Sequence, residues 1–176
     1  ACVTQMHDEH IVDASMTAAW ALCSVISHSP SARKQLLAIP HFSAQLSSLL
    51  SMKNVRILTE ATWLITYLVA SDDAHLTSLI QANVVSQLVK VLQISLQEKH
   101  PDLNIVHGLL TPVLRSLGNI AAGISEAQVR ELVEYDNSII LSCMFECLMC
   151  SHRGIQKEAC KALSNIAAAC DRSTIE

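Results

Sequence analysis

The chain has 176 residues, of which 51% are apolar, 16% charged and 3% aromatic, with a formal net charge of −4. That length suits one compact domain or a short repeat array, and a pI near 6.0 argues against the chain as a whole binding nucleic-acid phosphates. Four Gly and four Pro leave room for few turns, and runs rich in Ala, Leu, Ser and Gln favour helix.

Ala1 is not a translation start and no signal-peptide pattern follows it, so the sequence reads as a fragment. In MHDEH, His7 and His10 stand at helical spacing with Cys2 nearby, but a polar terminal stretch with two His is commonplace and no metal is expected there. Residues 1–29 form a partial first unit ending in TAAWALCSVISH. Residues 30–71 predict helices over 31–37, 42–50 and 55–69, with Pro40 closing the first and EATWLITYLVAS in the third.

Residues 72–123 predict helices over 74–81, 84–97 and 103–122. The charged insertion QEKHPDLN, carrying Pro101, reads as a surface loop between the last two, and Pro112 predicts a bend early in the third. Residues 124–170 predict helices over 126–135, 138–150 and 155–169, leaving a tail at 171–176 that starts a fifth unit or frays. Ser31, Asp73, Ser125 and Asn137 are the expected helix caps. Mean hydropathy of +0.34 raises the question of a membrane span. The longest apolar stretch, SIILSCMFECLMCS, is broken by Glu146 and falls short of the roughly 20 residues a span needs, so it reads as a helix buried in protein and no membrane partner is expected.

Four segments align: TAAWALCSVISH, EATWLITYLVAS, PVLRSLGNIAAG and EACKALSNIAAA. Their lead residues are Trp20, Trp63, Arg115 and Lys161, and the residues four later are Ser24, Tyr67, Asn119 and Asn165. Lead spacings of 43, 52 and 46 fit armadillo or HEAT repeats of about 40–47 residues, the long one containing the insertion. A unit of that size cannot bury its apolar face alone and must stack on its neighbours. Stacking sets the third helices side by side, so the lead residues form one row and the i+4 residues a second on the same face. Two readings of the repeated Asn follow. It lines a groove, or it hydrogen-bonds to neighbouring backbone and fixes the repeat geometry.

The phrases TPVLRSLGNIAAG, EATWLITYL and QKEACKALSNIAAA resemble the later repeats of the armadillo array of importin-α, over nearly the whole chain. The resemblance implies an all-α, right-handed superhelical solenoid of about four three-helix units. It also implies an adaptor whose concave face holds the extended basic peptide of a nuclear localisation signal, working between cytoplasm and nucleus, with importin-β as a further partner through regions absent from these residues. On that reading the peptide-binding set is Trp20, Ser24, Glu60, Trp63, Tyr67, Thr111, Arg115, Asn119, Glu158 and Asn165. Indole faces hold Lys stems, Asn amides hold peptide backbone, and Glu60 and Glu158, three residues before a lead position, take cationic head groups. Tyr67 replaces an Asn, although the family also shows Tyr at the comparable repeat. This chain departs from the family pattern at Ser24 and above all at Lys161, where Trp is expected. A cation there removes an aromatic wall and repels a basic ligand.

Seven cysteines on largely apolar faces read as reduced thiols of a cytosolic or nuclear protein. Cys143, Cys147 and Cys150 spell C-x3-C-x2-C, the iron–sulfur spacing of radical SAM enzymes, but here they fall at i, i+4 and i+7 of an apolar helix, which is core spacing. There is no phosphate loop, nucleophile elbow or distinctive carboxylate pair. The sequence therefore points to binding without catalysis or cofactor. The alternative to an import adaptor is an armadillo scaffold that uses the same face for another protein.

Overall fold

A computed structural model describes residues 2–70, 76–97 and 102–170, without the side chains of residues 2–9 and 11. The side chains of Cys2 and His7, the expected cap Asp73, Pro101 and the tail after Cys170 lie outside that description. The described residues form ten helices and no strand. The first, α1 (Cys2–His28), carries the first lead residue. Three helix triplets follow: α2 (Pro30–Leu37), α3 (Phe42–Leu49) and α4 (Val55–Leu68), then α5 (Leu76–Gln81), α6 (Val84–Gln97) and α7 (Leu103–Gly123), then α8 (Glu126–Glu134), α9 (Ile139–Met149) and α10 (Arg153–Cys170).

Four of the helices start where a side chain satisfies free N–H groups of the first turn. Ser29 caps α2 by accepting from the Ala32 N–H, with Pro30 in the first helical position, which moves the cap two residues ahead of the expected Ser31. Asn54 caps α4, Asp102 caps α7, and Ser125 opens α8 with a full capping box to Gln128. Asn137 does not cap α9. It lies in a left-handed run with Asp136 and Ser138, at φ of 47 to 63°. Each turn from a first to a second helix uses such a residue, His41, Asn83 or the 136–138 run, and no glycine adopts positive φ. Glycine is kept for the helices.

Stacking joins like helices. The third helices pack in the order α1, α4, α7, α10, and the second helices α3, α6 and α9 pack alongside. Between these layers lies an aliphatic core that includes Ile65, Leu88, Leu92, Leu114, Leu117, Ile120 and Ile140, all 2% exposed or less. Among the described residues, no aromatic ring is among the large, fully buried side chains. This is an armadillo-type solenoid: each helix pair closes its apolar face only against the next unit.

α7 runs unbroken through Pro112. A proline inside a helix leaves the carbonyl four residues back without its N–H and crowds it. Here that carbonyl belongs to Gly108, which is exposed and would have nothing within 4 Å of an added Cβ. The helix tolerates the defect because the orphaned carbonyl belongs to an exposed residue and can reach water.

Candidate functional site

The two rows expected from the sequence lie on α1, α4, α7 and α10. At the α1 end, Trp20 is 66% exposed, so it is not a core ring. Ser24 is exposed and its hydroxyl donates back to the Trp20 carbonyl at 3.1 Å, the local habit of serine in a helix. On α4, Trp63 and Tyr67 are half-buried and stack at 6.1 Å with an interplanar angle of 28°, one turn apart. Thr111, one turn before Arg115 on α7, is half-buried and bonds to the His107 carbonyl.

Arg115 joins three successive third helices. Its guanidinium lies 5.4 Å from the centre of the Trp63 ring, within cation–π range. The same group donates from Nε to Glu158 Oε2 at 3.1 Å and from Nη2 to Oε1 at 2.8 Å, a two-pronged pair. Lys161 Nζ approaches the same Oε1 at 3.4 Å. Arg115 and then Lys161 hold the Glu158 carboxyl below its ordinary pKa, against the opposing effect of burial, so it stays ionised. The cationic head group in contact with Glu158, and the cation on Trp63, are thus the chain's own.

Glu60 has the equivalent place two interfaces earlier, three residues before Trp63. By the α10–α7 register it faces the lead residue of α1, which is Trp20 and not a cation. It is half-buried, and among the described residues it has no hydrogen bond or ion pair. Burial raises its pKa, and its charge in turn helps raise that of Cys23, one turn after Trp20. Two glutamates in matching positions therefore differ: Glu158 is neutralised from within, whereas Glu60 has no partner among the described residues.

The two asparagines also differ. Asn165 Nδ2 donates to the Gly118 carbonyl at 2.9 Å and ties α10 to α7. Asn119 is half-buried with no hydrogen-bond partner among the described residues. Both line a cleft of about 220 Å³ with Arg115, Glu158 and Lys161. Two larger hollows, of about 470 and 410 Å³, are also lined in part by α7 but touch none of the expected peptide-binding residues.

Sequence reasoning missed the ties that hold the ladder. Thr66, buried between α4 and α7, donates to the Thr62 or Pro112 carbonyl and meets the Ser116 hydroxyl at 2.8 Å. A hydroxyl on an apolar helical face was the available signal. The six described cysteine side chains are free thiols. Cys143 and Cys147 are buried, with burial pushing Cys147 up to about 12, while Cys150 is half-buried past the end of α9. Among the described residues no three or more of His, Cys, Asp and Glu are grouped to hold a metal ion, and no helix is long and apolar enough to cross a membrane.

No family model matches the chain. It is 34% identical over 155 residues to importin subunit alpha-9 of Arabidopsis thaliana and 31% identical over 156 residues to importin subunit alpha-2 of Oryza sativa subsp. japonica. Each alignment covers 86% of this chain but 28% of the relative, so the chain spans little more than a quarter of those proteins. Among solved structures, a designed armadillo repeat protein in complex with the peptide (KR)4 superposes with a TM-score of 0.70 at 24% identity, over 86% of this chain and 57% of the other. Armadillo repeat proteins designed for modular peptide recognition give 0.70 and 24%, over 86% and 58%. These likenesses establish the fold.

Proposed function

Because this chain is an armadillo-repeat protein similar to importin-α, we propose that its third-helix face binds the extended, basic peptide of a cargo protein for transport between cytoplasm and nucleus. The relatives' name as importin subunits and the (KR)4 peptide held by a designed neighbour support the reading. The observation that carries it is the half-buried Glu60 carboxylate, without a hydrogen bond or ion pair among the described residues, on the helix next to the one that carries exposed Trp20. A Lys stem lies along the indole, its ammonium meets the carboxylate, and both Trp20 and Trp63 frame the place. Asn119 holds the peptide backbone without reading its sequence. Each contact contributes about 0.5–1.5 kcal/mol net, so a handful gives roughly micromolar affinity after the losses of association.

The test is anisotropy of a labelled bipartite basic peptide at two salt concentrations. Binding that weakens with salt is expected, and Glu60→Gln is expected to weaken it about tenfold while leaving Tm unchanged or higher, since the substitution removes a half-buried charge. Absence of binding at low salt sinks the reading. The raised pKa of Glu60 adds a sign: protonation abolishes the anion, so affinity falls as pH drops toward the ordinary carboxylate range. Glu60→Gln flattens that fall.

A second reading has its own observation. Arg115 already covers one face of Trp63 and saturates Glu158, which closes the later half of the ladder to a basic side chain. A scaffold that holds another protein without transporting it uses the face in this way.

A further inference from the structure

The α7–α10 cleft carries a charge pattern opposite to that of the Trp20–Glu60 end. Its buried anion is spoken for, because Glu158 keeps only 7% of its side chain exposed and both its oxygens accept from Arg115. Its outer atoms are the cations, with Arg115 and Lys161 keeping 38% and 56% of their side chains in solvent. Two cations against one anion leave a net single positive charge at the surface. Arg115 uses Nε and Nη2 on Glu158, so Nη1 makes no bond to it, and Lys161 touches Glu158 only at 3.4 Å. The Asn119 amide on the rim adds a further donor.

We propose that this cleft receives an acidic side chain of the bound peptide, a carboxylate or a phosphate, with Lys161 as the residue that selects it. The inference rests on the peptide-groove reading above and assigns the polarity of its second half. Lys161 Nζ, Arg115 Nη1 and Asn119 Nδ2 are the donors that meet the anion, while Glu158 holds Arg115 in place. Neighbouring third helices lie about 8–10 Å apart. The α7–α10 interface is two such steps from the α1–α4 interface that contains Glu60, or roughly 20 Å. An extended chain advances about 3.3 Å per residue, so the acidic residue belongs about six positions from the basic one. The ligand is thus a mixed-charge segment with fixed spacing.

The experiment uses the full 176-residue chain and labelled peptides with one basic core. A single Glu, phosphoserine or Lys is walked through the positions on either side of that core. At one position about six residues away, Glu or phosphoserine is expected to bind about three- to tenfold tighter than Lys, and the larger gain identifies carboxylate or phosphate as the better fit. Lys161→Gln removes that gain and tightens the Lys-substituted peptide, whereas Lys161→Arg keeps the gain. Lys161 is exposed, so unchanged circular dichroism and Tm of the variants are the folding control. If Glu weakens binding at every position, or its gain survives Lys161→Gln, the assignment is wrong although the groove reading stands. If no peptide binds even at low salt, both fall together.

Discussion

Arg115 makes the largest difference between this ladder and a plain row of aromatic walls. It links Trp63 on α4 to Glu158 on α10, so one side chain spans three successive third helices. Breaking a fully buried ion pair costs about 3–5 kcal/mol, but Arg115 is more than a third exposed and water compensates part of the loss. Glu158→Gln is therefore expected to destabilise by about 1–2 kcal/mol at neutral pH, read by thermal melting. The sign of the pH effect follows from the lowered Glu158 pKa. Its contribution is present above the unfolded value of 4.5 and disappears as pH falls through the lower folded value. The Tm difference between wild type and Glu158→Gln closes in that acidic window. A constant gap there means that the pair contributes nothing through charge.

At the scale of elements, the approach of α7 to α10 is set by Gly118. A Cβ on Gly118 falls 2.9 Å from Ala162 Cα and 3.1 Å from Ala162 Cβ. The first of these is backbone, and no rotamer change can relieve it. Gly118→Ala adds helix propensity worth about 1 kcal/mol, against an overpacking cost of about 1–3 kcal/mol. Because the clash forces the two helices apart, overpacking wins, and a lower Tm is expected. The same shift pulls the Gly118 carbonyl from Asn165, so peptide binding at this cleft is perturbed alongside stability. A Tm equal to or above that of wild type shows that the helices separate freely.

The whole molecule is close to one-dimensional, since each unit packs mainly on its neighbours. α7 lies between α4 and α10 and buries ten residues, from Leu109 to Ala121. α1 packs on α4 from one side, and among its described side chains only Cys23 and Ile26 are buried. Hydrogen exchange in this 176-residue chain is accordingly expected to be slowest in the middle of α7 and fastest along α1, the order given by local unfolding from the least covered helix. Equal protection of α1 and α7 is the result that contradicts nearest-neighbour stacking. The groove shares this gradient: Trp20 stands on the least covered helix, so a peptide that bridges α1 and α4 slows exchange in α1 most.

The helices, their repeat and the two rows were legible in the residues alone. Apolar spacing and register are local properties, and the ranges 42–50, 84–97 and 103–122 lie close to α3, α6 and α7. The placement of Trp20, Glu60, Trp63, Asn119 and Asn165 on third helices follows from the same alignment. Cap positions were less legible, because Ser29 and Ser31 offer the same hydroxyl and only backbone angles distinguish them. Tertiary structure alone decided which charges are free. Residues 43 positions apart, Arg115 and Glu158, meet only once two units stack, and that meeting makes Glu158 neutral to a ligand while matching Glu60 remains bare. Partnership between charges depends on distances of a few ångströms across units, which no single helix encodes.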